Sequence, residues 1–232
     1  MGCNKTLFLE LEGTIWNFSK EHHTALWEYR KNLLMRVYGI SNSDAVEAIN
    51  YLFEIISRYK KHFKIPSPKK QLEIIFNFLR IPLSETSDFY DMWFEAILKL
   101  PPPIDFTFVS TLGKLSQTEK GIFIVGYCHR ETEDERYIGE LLSISGFLHL
   151  FHRIITATSM NFIPPSPLAF MYPPVLPSND CTTVLSTHID TLKSFLTAGY
   201  KNIFLWDKDG TYSGIFDTIN DYHEIITKIT NL

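Results

Sequence analysis

The sequence predicts an α/β fold, a Rossmann-like open parallel sheet flanked by helices, with a four-helix cap inserted after the first strand. Three observations predict it. Short apolar runs bounded by polar or turn residues recur at 6–11, 122–125, 153–156, 181–185 and 202–206. From residue 101 onward these runs alternate with segments of helical period, as in parallel strands joined by crossover helices. Between residues 17 and 100 the period is helical throughout. The chain therefore divides into an α/β core, 1–16 with 101–232, and a helical cap, 17–100.

Each cap helix has its own signals. Leu26, Arg30, Leu33, Leu34 and Val37 line one face of the first helix, and Gly39 separates it from the second. Ile49, Leu52, Phe53, Ile56 and Phe63 mark the second, opened by Asp44 with Glu47 as a capping box. Ser67-Pro68 sets an N-cap and first helical position for the third, which carries Leu72, Ile75 and Leu79. Phe89, Trp93, Ile97 and Leu100 form the fourth, stopped by Pro101-Pro102-Pro103. The aromatic residues Trp27, Phe53 and Trp93 read as cap core. In the α/β part, helices are predicted over 105–117, 133–145 and 189–198, the last with Gly199 as its C-cap, and over 218–229. A proline-rich loop runs from Pro164 to Pro177.

Composition excludes several classes. The 22 basic and 26 acidic residues leave a net charge of −4. The densest basic run, Lys60-Lys61-His62-Phe63-Lys64, is too short for a nucleic-acid footprint. No stretch is long and apolar enough for a transmembrane segment. Cys3, Cys128 and Cys181 are odd in number and widely spaced, which points to reduced thiols and a cytoplasmic protein. Met1-Gly2-Cys3-Asn4-Lys5-Thr6 matches an acylation pattern at Gly2 with Cys3 for a second chain, but a strand starting near Thr6 leaves almost no tether.

The chemistry concentrates at strand ends. Leu7-Phe8-Leu9 runs into Glu10-Leu11-Glu12-Gly13-Thr14, so two carboxylates project to one side of the chain. Gly13 lets the backbone turn beside them. Open parallel sheets place their sites at the carboxyl ends of strands. The other such ends carry Gly126, Tyr127 and Cys128; Pro164 and Ser166; and Ser186 and Asp190.

This order resembles the haloacid dehalogenase superfamily of phosphohydrolases along nearly the whole chain. Its first motif, D-x-D-G-T, aligns with Glu10-Leu11-Glu12-Gly13-Thr14, which makes Glu10 the implied nucleophile and Glu12 the implied general acid/base. The phosphate-binding hydroxyl of its second motif is replaced by Gly126. Pro165-Ser166-Pro167-Leu168-Ala169-Phe170 matches P-x-P-x-x-F, but Pro164 stands where the family has lysine. In the fourth motif Ser186 replaces the first aspartate and Asp190 retains an acid. The resemblance thus implies catalytic Glu10 and Glu12, substrate contacts from Thr14, Gly126 and Arg130, and Mg2+ held by Glu10 and Asp190. The implied ligand is a small phosphorylated molecule or a protein partner.

These replacements weigh against the parent chemistry. Glutamate carries its carboxylate about 1 Å too far for in-line attack, a misplacement on the order of a hundredfold in rate. Loss of the lysine removes a few kcal/mol of charge stabilisation. The expected function is a haloacid dehalogenase-like protein with an impaired or inactive site and a retained ligand-binding, regulatory or interaction role. The alternative is an active Mg-dependent small-molecule phosphatase that uses Glu10 and Glu12. Asp207-Lys208-Asp209-Gly210-Thr211 also matches D-x-D-G-T but reads as a turn, with too little chain after it to build a sheet. His129-Arg130 either faces an anion at the cleft or lies at the surface, the latter being the plainer reading. His22-His23 reads as a capping or solvent-facing pair rather than a substrate contact.

Overall fold

The computed structural model describes residues 5–117, 122–160, 162–170 and 180–230. Gly2 and Cys3 lie outside this range. The apolar run that opens the chain forms β1 (Thr6–Glu10), buried at every position. Parallel strands covered on both faces read as continuous apolar runs, which is why β1 shows no polar alternation. The later strands are β2 (Phe123–Cys128), β3 (Arg153–Thr156), β4 (Thr182–Ser186), β5 (Asn202–Trp206) and β6 (Asp217–Ile219). Among the described residues they form one sheet, ordered β3-β2-β1-β4-β5-β6, in which every pairing is parallel. The strand order reverses at β1, so β2 and β4 flank its carboxyl end. That is where open α/β sheets bind ligands.

The pleat of β1 divides the core. Leu7 and Leu9 pack into one apolar cluster with Trp16, Phe108, Leu112 and Ile138. Phe8 packs on the other side with Val125, Tyr127, Val184 and Phe195. Glu10 follows Phe8 by two residues and so shares its side of the sheet.

Between β1 and β2 the chain makes α1 (Lys20–Tyr38), α2 (Asn42–Lys60), α3 (Pro68–Leu79), α4 (Thr86–Phe94) and α5 (Ala96–Lys99). The fourth expected helix is thus two, parted at Glu95. The capping of α3 by Ser67 with Pro68 behind it is as the sequence predicts. The capping of α2 is one turn earlier than expected: the Ser41 hydroxyl, not Asp44, accepts from the Asp44 amide at 3.1 Å. The chain leaves and returns side by side, since Asp105 N donates to Ile15 O at 2.8 Å and Asn17 N to Pro103 O at 3.0 Å. Trp27 and Trp93 are buried as foreseen, in the same apolar cluster as Leu7 and Leu9 together with Phe76 and Phe89, whereas Phe53 is only half-buried at its edge.

The remaining helices are α6 (Phe106–Ser116), α7 (Glu135–Ile144), α8 (Ile189–Thr197) and α9 (Tyr222–Thr230). Three expectations are corrected. Residues 218 and 219, assigned to the last helix, belong to the edge strand β6, and α9 starts at Tyr222. β2 extends to Cys128, so Gly126 lies inside the strand rather than at its end. Cys128 is a buried free thiol, whereas Cys181 is disulfide-bonded, so the thiols are not all reduced. Among the described residues no helix is long and apolar enough to cross a membrane.

Candidate functional site

β1 ends at Glu10, and its neighbours supply everything around that carboxylate. Glu10 sits beside Tyr127 of β2 in the sheet register, while Leu9 pairs with Leu185 of β4. The residues just past those two flanking strands, His129 and His188, therefore converge on Glu10. Their rings lie against each other, with centroids 3.8 Å apart.

The two oxygens of Glu10, which is fully buried, have different surroundings. Oε2 accepts from the Ser186 hydroxyl and from the His188 amide at 3.3 Å. The Ser186 hydroxyl itself accepts from that amide at 2.9 Å. Oε1 lies 2.9 Å from His129 Nδ1 and 3.0 Å from His188 Nδ1. These are ion-pair distances without hydrogen-bond directionality: Glu10 Oε1 and His129 Nδ1 are both buried without a hydrogen-bond partner.

Glu12 is held as firmly. Its Oε1 accepts from Cys128 Sγ at 2.9 Å, and its Oε2 accepts from the His129 amide at 3.2 Å and lies 3.1 Å from His129 Nδ1. The Thr187 hydroxyl donates to Glu12 O at 2.9 Å and also lies 2.9 Å from His188 Nδ1. Gly13 has φ +73°, and a Cβ there would stand 2.6 Å from Thr187 Cγ2, so only glycine admits this close approach of the β1 and β4 loops.

The charges follow from the geometry. Burial pushes the Glu10 carboxyl up, but the facing rings of His129 and His188 outweigh it and hold the group at about 2. Glu12 is lowered for the same reason, with His129 opposing its burial. Burial pushes His129 down, and Glu12 with Glu10 outweighs that and lifts the imidazole to about 10. Burial and then Glu12 raise the Cys128 thiol, so a neutral S–H donates to the carboxylate.

The other residues singled out from the sequence lie as follows. Thr14 is buried and its hydroxyl donates to Glu10 O and, at 3.2 Å, to Leu11 O, closing the turn. Gly126 is packed inside β2 against Ile154, Phe151 and Leu11. Asp190 is in the first turn of α8, where its exposed carboxylate lies 3.5 Å from Lys193, and it is not part of the cluster around Glu10. Arg130 is not a surface residue: its side chain is 9% exposed, lies over the Phe18 ring at 4.1 Å and pairs with Glu133 at 3.5 Å. The second D-x-D-G-T is a turn, in which Asp207 accepts from Tyr212 N at 2.7 Å and Lys208 pairs with Asp105. His23 accepts from Trp27 Nε1 at 3.3 Å, and His22 donates its amide to Ser19.

A cavity of about 210 Å3 opens on the cluster, lined by Lys60 of α2, Tyr127, His129, Ile163, Pro164 and His188 among others. A larger one, about 520 Å3, is bounded by Tyr59, Lys64, Thr158 and Phe162 and includes neither carboxylate. His188 is the member of the Glu10 cluster that sequence reasoning passed over. It stands two residues beyond Ser186, and its role shows only when β4 is placed beside β1.

No family model and no curated protein sequence matches the chain. Solved structures do. A 2-haloacid dehalogenase from Pseudomonas syringae superposes with a TM-score of 0.71 at 14% identity, covering 99% of both chains. A haloacid dehalogenase-type phosphatase from Thermococcus onnurineus gives 0.59 at 18% identity over 96% of each. A hydrolase of the same superfamily from Bacillus subtilis, bound to magnesium, gives 0.58 at 14% identity over 97% of this chain and 98% of its own.

Magnesium does not fit the donors found here. It takes oxygen ligands in near-octahedral array, whereas Glu10 is grouped with two imidazoles and the aspartate position is Ser186. Six parallel strands ordered around β1, a helical insertion directly after it and the full-length superpositions agree: the chain has the fold of the haloacid dehalogenase superfamily hydrolases.

Proposed function

We propose that the chain descends from haloacid dehalogenase superfamily phosphohydrolases, no longer transfers phosphoryl groups through Glu10, and serves as a ligand-binding, regulatory or interaction protein built on the old cleft. One observation carries this reading: the Glu10 carboxylate is fully buried, with Oε2 hydrogen-bonded by Ser186 and the His188 amide and Oε1 walled off by two imidazoles at 2.9 and 3.0 Å. A nucleophile must be free to meet phosphorus in line at close range. Glu12 lacks the same freedom, since Cys128 and His129 hold it. The ligand class proposed for the adjoining cavity is a small phosphorylated molecule, which Lys60, His129 and His188 would meet beside the lining carboxylates Glu131, paired with Lys60 at 2.5 Å, and Asp190; a protein partner is the other class.

The cavity also favours a second reading, an active Mg-dependent small-molecule phosphatase that uses Glu10 and Glu12. Turnover of an aryl phosphate with Mg2+ separates the two. The expected result is no hydrolysis above the buffer rate for the wild type and none for Glu10→Gln. Magnesium-dependent turnover by the wild type that Glu10→Gln abolishes would establish the phosphatase instead.

A further inference from the structure

We propose that Glu10, His129 and His188 form a binding site for a divalent transition metal, with Zn2+ as its representative. Three observations lead there. One carboxylate oxygen of Glu10 and one ring nitrogen of each histidine all lie within 4.8 Å of one another, one donor atom per residue. Two of these atoms, Glu10 Oε1 and His129 Nδ1, are buried without a hydrogen-bond partner. Buried polar atoms are ordinarily paired, so an orphaned acceptor and an orphaned ring nitrogen facing each other mark a place for a third party. Finally, among the described residues no lysine or arginine forms an ion pair with Glu10 or Glu12, although both are buried. Among the described residues the charge partners of these two carboxylates are imidazoles, the same donors through which a divalent cation would deliver positive charge to them.

The donor set decides which ion. One carboxylate with two imidazoles suits zinc, iron, copper or nickel, and oxygen-only sites suit magnesium. The support around the donors is of the kind that fixes a metal ligand. Glu10 Oε2 is anchored by Ser186 and the His188 amide, which leaves Oε1 directed at the two rings. The Thr187 hydroxyl, which donates to Glu12 O, meets His188 at Nδ1, so ion binding replaces that contact and leaves Nε2 of the ring to carry the proton. His129 and His188 both also line the 210 Å3 cavity, so an ion held by them has a face toward an incoming ligand. Ser186, which the resemblance marks only as a lost aspartate, becomes a positioning residue for Glu10.

This inference rests on reading the cleft as a binding centre, but its test does not use turnover. The full chain is dialysed against Zn2+ alone and against Mg2+ alone, with Co2+ uptake followed by visible absorption. One Zn2+ per chain is expected, held at least about tenfold tighter than Mg2+. Glu10→Gln and His188→Ala should each weaken zinc by about tenfold or more, and His188→Ala should alter the cobalt bands. His188 is a half-exposed loop residue, so its variant keeps the fold. No zinc uptake, equal affinity for Mg2+, or uptake unchanged in both variants would overturn the site. Zinc binding accompanied by Mg-dependent hydrolysis through Glu10 would overturn the function proposed above and leave the metal site standing.

Discussion

A Cβ at Gly126 would stand 3.0 Å from both Ile154 Cδ1 and Phe151 Cδ1 and 3.1 Å from Leu11 Cδ2. The residue that reads in the sequence as a missing phosphate hydroxyl is thus a packing requirement in the middle of β2. Overpacking a well-filled core costs about 1–3 kcal/mol. Gly126→Ser should therefore lower the urea midpoint by a stability loss in that range while restoring no phosphate-binding function. An unchanged midpoint would show that the space at this position is open. The sequence read Glu10 and Glu12 as converging, and both do meet His129, although Glu12 stands beyond the end of β1, where strand alternation no longer applies. It could not show that Cys128, His129 and His188 enclose them, because those contacts span more than 100 residues.

At the scale of elements, α1 is fastened to the loop before α7 by a buried ion pair. Arg30 Nη2 lies 2.9 Å from Glu133 Oε2, Nη1 donates to Oε1 at 3.3 Å, and both side chains are fully buried. Arg30 Nε donates to Trp93 O at 3.2 Å, and the guanidinium lies 5.1 Å from the Trp27 ring and 5.5 Å from the Trp93 ring. Helical spacing placed Arg30 on the apolar face of α1, correctly, but spacing cannot name a partner 103 residues away. Removing one member of a buried ion pair leaves an uncompensated charge, at about 3–5 kcal/mol. Glu133 also faces Arg130 at 3.5 Å, so Glu133→Leu, which strands both guanidinium groups, should lose stability on that scale in chemical denaturation, and Arg30→Met should lose less. If Glu133→Leu is no less stable than Arg30→Met, the ion pairs are not the source of the loss. The errors at element ends have similar causes. β6 is a three-residue edge strand, too short to show a period, and Ser41 caps α2 through a hydroxyl that Asp44 outcompetes in a pattern search.

For the whole molecule, the strand order does what no single motif does. By placing β2 and β4 on either side of β1, it brings the residues after each flanking strand to the same carboxylate. The alternation of apolar runs and helical segments was enough to read the parallel sheet and the insertion, since both depend on period and length. The site needed topology as well, and its motif matches pointed to Asp190 and Gly126 while the assembled cluster is made by His129 and His188. The apolar core is continuous from the inserted helices to β1, so the cleft is supported from both parts of the chain. The claim at the centre of this picture is that Glu10 is a held ligand and not a nucleophile. It is tested most directly by acid-quenching the protein with an aryl phosphate and Mg2+ and searching the Glu10 peptide for a phosphoryl adduct by mass spectrometry. The predicted result is an unmodified peptide at every quench time; an acyl phosphate on Glu10 that forms and decays with substrate would contradict it.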